Sequence, residues 1–77
     1  MQVEVELQAY LEQYSPNGKG VFALELPDGA SVWDLVRKLG VPEELANVVV
    51  VGNATAEFDD QLHDGERVTL IPPLAGG

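Results

Sequence analysis

One segment of the chain has the clear apolar spacing of an amphipathic helix, and this limits the folds that are open to it. Residues 31–40 read SVWDLVRKLG. Apolar residues recur there at helical spacing and form one stripe: Val32, Leu35, Val36 and Leu39. Ser31 and Asp34 have the spacing of a capping box, and Gly40 is placed to end the helix. A chain with one such helix must bury the stripe against a sheet.

The rest of the chain supplies the strands of that sheet. Alternating apolar and polar residues predict strands with one buried face, whereas the β-branched run NVVVV predicts a strand buried on both faces in the middle of the sheet. The predicted order is a strand at 1–11, a loop at 15–20, a strand at 21–26, the helix at 31–39, a helical turn at 42–45, and strands at 47–51, 56–58 and 66–71.

This order predicts an α+β fold: a mixed sheet of four or five strands with one main helix packed across it. It is the order of the β-grasp, or ubiquitin-like, roll. We expect a single monomeric domain over residues 1–77 with a flexible tail at 72–77. The predicted core consists of Val3, Val5, Leu7, Phe22, Leu24, Leu26, Val32, Leu35, Val36, Leu39, Leu62, Val68 and Leu70.

Composition excludes several classes of function. The chain has 77 residues and no cysteine, so apolar packing alone must stabilise it, without disulfides or cysteine-bound metals. A net charge of -9 disfavours nucleic-acid binding and suits either solubility or attraction of a basic partner. No apolar run is long enough to span a membrane. We therefore expect a soluble cytoplasmic protein.

The side chains show no pattern of an active site. His63 has no partner at metal-ligand or triad spacing and is interpreted as a surface histidine. The segment Gly18–Gly20 lacks the spacing of a phosphate loop and is interpreted as a hairpin tip. Trp33 and Tyr14 are expected to be partly buried packing residues. No metal site and no resident cofactor are predicted.

The chain ends in IPPLAGG, which differs from an ordinary terminus. Pro72 and Pro73 cannot donate to a strand ladder, so the chain should leave the sheet in an extended form. Ala75, Gly76 and Gly77 are narrow enough to thread into a confined pocket and deliver the terminal carboxylate. The two glycines alone would also fit a frayed terminus.

Three segments resemble the MoaD/ThiS family of sulfur carriers. The ending DGERVTLIPPLAGG resembles the C-terminal signature of that family. LELPDGASVWDLVRKLG is similar to its second strand and first helix, and VELQAYLE to its opening strand. The double proline resembles the small subunit of molybdopterin synthase more than the thiamine-type carriers, although Gly52-Asn53 stands where many relatives have Asn-Gly.

The resemblance implies a function carried by the last residue. A ubiquitin-activating-type adenylyltransferase would use ATP to adenylate the carboxylate of Gly77, beside Gly76, and sulfur would then replace AMP to give a thiocarboxylate. The acceptor would be a pterin-synthase large subunit in a molybdenum or tungsten pathway, or another enzyme such as one of thiamine synthesis. The chain would be a co-substrate without an active site of its own. A ubiquitin-like protein modifier and a non-catalytic interaction module stay open as alternatives.

If the tail enters a partner, the sheet surface beside it should contact that partner as well. Alternation along the last strand turns Thr69 and Ile71 away from the helix, and Gln8 should lie near them if the first and last strands pair. The predicted partner-binding residues are Gln8, Thr69, Ile71, Pro73, Leu74 and Ala75.

Overall fold

This computed structural model describes residues 1–73, which contain five strands, one α-helix and two short 3-10 helices. Residues 74–77 lie outside the described residues. The strands are β1 (Gln2–Leu7), β2 (Val21–Glu25), β3 (Val48–Val51), β4 (Ala54–Thr55) and β5 (Arg67–Ile71). The helix α1 spans Val32–Leu39, and the 3-10 helices span Ala9–Tyr14 and Glu43–Leu45.

The strands form one mixed sheet in the order β2-β1-β5-β3-β4. The first and last strands of the chain, β1 and β5, pair in parallel, and the other three pairs are antiparallel. The predicted α+β fold, a mixed sheet of four or five strands with one main helix, is confirmed, and the sheet has five strands. Because β5 lies between β1 and β3, the segment that follows Ile71 leaves from the middle of the sheet.

One hydrophobic core lies between α1 and the sheet. Val32, Leu35 and Val36 of the helix are no more than 1% exposed and belong to the same cluster as the inward side chains of the strands. Every predicted core residue is buried except Leu39, which packs partly buried at its margin. Five further buried residues complete the core: Leu11, Ala30, Val41, Ala46 and Val49.

The ends of α1 have the predicted caps. The backbone N–H of Asp34 donates to Ser31 Oγ, and the Asp34 carboxylate accepts from the backbone N–H of Ser31 at 2.8 Å. Gly40 ends the helix in the left-handed region, with φ of 77°. No helix among residues 1–73 is long and apolar enough to cross a membrane.

The predicted first strand at 1–11 is too long, because β1 ends at Leu7. In the antiparallel register, Glu6 pairs with Val21, the first residue of β2, so that strand offers β1 no further partner. On the other side, the parallel partner β5 is followed by two prolines that have no N–H. Ala9 takes a positive φ of 54° and starts a 3-10 helix. Leu11 is buried from that helix and not from a strand.

The predictions for the third and fourth strands are also partly wrong. β3 lies next to the edge strand β4, and Val49 is its one fully buried residue, so it is not buried on both faces. The edge strand is Ala54–Thr55 and not 56–58, since Gly52 has φ of 64° and allows a tight turn directly after β3. Phe58 instead stacks on Trp33, with ring centroids 4.5 Å apart.

The capping box is expected to contribute measurably to stability. We expect Ser31→Ala to lower the free energy of unfolding by about 1 kcal/mol, because it leaves the Asp34 N–H without its acceptor. Chemical denaturation followed by circular dichroism measures the change. Ser31→Thr keeps a hydroxyl at the cap and should lose much less. Equal losses in the two variants would show that the cap hydroxyl does not stabilise the helix.

Candidate functional site: the outer sheet face and the base of the tail

The sheet face opposite α1, here called the outer face, contains the predicted site residues of β5. Val68 and Leu70 are fully buried on the helix side. Thr69, which lies between them, and Ile71, which follows them, are half-buried. Strand alternation therefore directs Thr69 and Ile71 to the outer face, as predicted.

Two valines that sequence reasoning did not assign to the site lie beside them. In the β3–β5 register, Val50 stands opposite Thr69 and Val48 opposite Ile71. Both valines are half-buried and stand outside the core cluster, whereas their neighbours Val49 and Val51 belong to it or pack against it. The run of four valines has no polar residue to mark one face, which is why alternation could not identify them. The end of the outer face near the tail is consequently apolar.

Gln8 lies where the sequence placed it, next to the end of β5. Its backbone N–H donates to the carbonyl of Leu70 at 3.1 Å, one step beyond the last β1–β5 residue pair. Its exposed side-chain amide lies 3.4 Å from the Glu6 carboxylate and can donate to it. Gln8 therefore pairs with the residue between Thr69 and Ile71, and its role in binding a partner stays a prediction.

The start of the tail contacts the 3-10 helix Ala9–Tyr14. Pro73 is half-buried, and its carbonyl accepts a hydrogen bond from the Tyr10 hydroxyl at 3.3 Å. Tyr10 was not among the predicted site residues, and the alternating pattern placed it on the first strand instead of a 3-10 helix. The predicted site residues Leu74, Ala75, Gly76 and Gly77 lie outside the described residues.

The other end of the outer face is ionic. Arg67 on β5 donates from Nη1 to Glu4 at 3.0 Å and from Nη2 to Glu6 at 2.6 Å, so that one guanidinium contacts two carboxylates of β1. The hydrogen bond from Arg67 lowers the pKa of Glu6, and the bond to Glu6 raises the pKa of Arg67. Since the groups are exposed, salt screens them and their contribution to stability is small.

Other side chains considered from the sequence form no comparable cluster. His63 is 71% exposed, lies 3.5 Å from the Glu66 carboxylate, and sits on the surface as expected. Trp33 is partly buried under Arg37, whose guanidinium is 4.9 Å from the ring centroid. Among residues 1–73, no group of three or more His, Cys, Asp or Glu side chains could hold a metal ion.

The ion pairs predict a pH dependence. The pKa of Glu6 in the folded state lies below its ordinary value of 4.5, so the stabilisation is present above that value and is lost as the pH falls through the folded-state pKa. Arg67→Gln should therefore unfold at a slightly lower temperature than the parent at pH 7. The gap should close on acidification below pH 4.5 or in 1 M salt. A gap that is independent of pH would mean that Arg67 acts through packing alone.

Comparisons with known proteins identify relatives across the chain. The family model described as ThiS family matches residues 10–77. A putative molybdopterin converting factor, subunit 1, from Pyrococcus furiosus is 28% identical, with a TM-score of 0.78, covering 96% of this chain and 99% of that one. No curated protein sequence matches significantly.

Two further solved structures share the fold. Small archaeal modifier protein 1 from Haloferax volcanii is 21% identical, with a TM-score of 0.75, covering 95% of this chain and 98% of that one. A complex of subunits 1 and 2 of the molybdopterin-converting factor from Helicobacter pylori contains a chain that is 22% identical, with a TM-score of 0.59, covering all of both chains. These likenesses establish the ubiquitin-like β-grasp fold.

Proposed function

The chain belongs to the ThiS family, and from that membership we propose that it is a sulfur carrier whose terminal carboxylate, at Gly77, carries the sulfur. One observation supports this assignment above the others. β5, the central strand, leads directly into Pro72-Pro73 beside an apolar patch of the outer face, and in the sequence these prolines are followed by Leu-Ala and then Gly76-Gly77. An activating enzyme can bind such a patch while the narrow ending enters its active site.

The chemistry follows from the weakness of a carboxylate as an electrophile. Its charge is delocalised, and oxide is a poor leaving group. In the proposed first step a Gly77 carboxylate oxygen attacks the α-phosphorus of ATP and pyrophosphate leaves. In the second, hydrosulfide attacks the acyl carbon, the bond from that carbon to the AMP oxygen breaks, and AMP leaves to give the thiocarboxylate. ATP and the catalytic groups belong to a ubiquitin-activating-type adenylyltransferase.

The proposed acceptor is the large subunit of a pterin synthase. The likeness to a molybdopterin converting factor subunit 1 at 28% identity supports this branch. The double proline of the tail and the structure of a related two-subunit complex are consistent with it. A carrier for thiamine or another pathway would use the same activation, so the acceptor is tested separately from the carboxylate chemistry.

Activation can be measured directly. Incubation with ATP, sulfide and the cognate adenylyltransferase should release AMP and pyrophosphate and increase the mass by the difference between sulfur and oxygen at Gly77. A chain lacking Gly76-Gly77 should show neither change, although its far-ultraviolet circular dichroism should match the parent. Isopeptide-linked species of high mass would instead indicate a protein modifier. Full function of the truncated chain would indicate an interaction module.

The apolar end of the outer face should contribute most of the partner affinity. We expect Ile71→Asp, or Val48→Asp on the neighbouring strand, to weaken binding to the adenylyltransferase or the large subunit by about 30-fold or more, as loss of a central apolar anchor does. Leu74→Asp should act similarly. Glu43→Lys, in the 3-10 helix Glu43–Leu45, is the control and should change affinity little.

Titration calorimetry measures these affinities, with circular dichroism to confirm folding. Wild-type affinity of a folded Leu74→Asp protein would show that the tail is not inserted. Wild-type affinity of folded Ile71→Asp and Val48→Asp proteins would show that the partner binds a different surface.

A further inference from the structure

The backbone hydrogen bonds that hold the end of β5 stop before the tail begins. The last of them on the β1 side runs from the N–H of Gln8 to the carbonyl of Leu70. Pro72 and Pro73 have no N–H, so the strand ladder cannot continue along them. At these two residues the backbone can be held only through its carbonyl groups.

The segment that follows β1 turns at the same level of the sheet. Ala9 has φ of 54° and is the one non-glycine residue with a positive φ among residues 1–73. Such a conformation is uncommon for alanine and persists when the surrounding structure requires it. It ends β1 and begins the 3-10 helix that places Tyr10 beside Pro73.

The hydroxyl of Tyr10 provides the contact that the ladder cannot. It donates to the Pro73 carbonyl at 3.3 Å, across 63 positions of sequence. The side chain is not needed by the core: Tyr10 is 40% exposed and is neither in the hydrophobic cluster nor among the side chains packed against it. Tyr14 of the same 3-10 helix does pack against the core. The position of Tyr10 is therefore explained by its contact with the tail.

We propose that Tyr10 is a positioning residue that holds the base of the tail at Pro73, so that the last four residues leave the domain from a fixed point. This inference rests on the proposed function for the use of the tail. A tail whose base is already ordered loses less conformational freedom when it enters an active site, so binding is tighter. Among residues 1–73 the Tyr10 hydroxyl bonds to the tail at Pro73, which is four positions before Gly77, so the terminal carboxylate can be inserted without releasing this hydrogen bond.

The kinetic test compares the two tyrosines of the 3-10 helix. In Tyr10→Phe the KM of the adenylyltransferase for the carrier should rise about 2- to 10-fold, the effect of losing one neutral hydrogen bond. The kcat should be unchanged, because the tail has already lost its conformational entropy in the bound complex from which the reaction proceeds. Tyr14→Phe also removes one hydroxyl and should leave both constants unchanged. An unchanged or lower KM in Tyr10→Phe would overturn the positioning role.

A second measurement needs no partner. The carbonyl ¹³C resonance of Pro73 should move upfield in Tyr10→Phe, because the carbonyl loses its donor, and should stay in place in Tyr14→Phe. The same resonance in Tyr10→Phe and in the wild type would refute the anchor itself. If the wild-type chain is not adenylated at all, the proposed function fails, but this resonance still decides whether Tyr10 holds the tail.

Discussion

The parallel pairing of the first and last strands is the contact on which the rest of the structure depends. It sets Val5 opposite Val68 and Leu7 opposite Leu70, and none of these four side chains is more than 1% exposed. Without a cysteine in the chain, no covalent link joins these segments, so burial of apolar surface must hold them together. The same pairing puts β5 in the centre of the sheet and makes the tail leave from the middle.

This arrangement gives β5 two tasks on its two faces. Its inward side chains contribute to the core, and its outward side chains form part of the outer face, which is apolar near the tail and ionic around Arg67. An apolar patch binds a partner by burial, whereas exposed charges mainly influence the rate and orientation of association. The strand that leads into the tail therefore also carries the surface beside it.

The sequence predicted most of the fold, and its errors have physical causes. Apolar alternation continued past Leu7 in the sequence. A strand also needs backbone hydrogen bonds to neighbouring strands, and the residue pairs of β1 with β2 and with β5 end at Glu6 and Leu7. The four valines of β3 indicated burial on both faces, because nothing in VVVV distinguishes a strand beside an edge from a central one. Thr69 and Ile71 were assigned correctly, since the buried Val68 and Leu70 fix the phase of their strand.

Local pattern by itself determined the capped helix α1, the buried faces of β1, β2 and β5, and the point where Pro72 stops the ladder, because these depend on residues close together in the chain. Only the tertiary structure decided which strands are neighbours. It brought Val48 beside Ile71 and the Tyr10 hydroxyl to the Pro73 carbonyl. Such contacts join segments far apart in sequence and form only when the whole apolar core is buried at once, so no local pattern contains them.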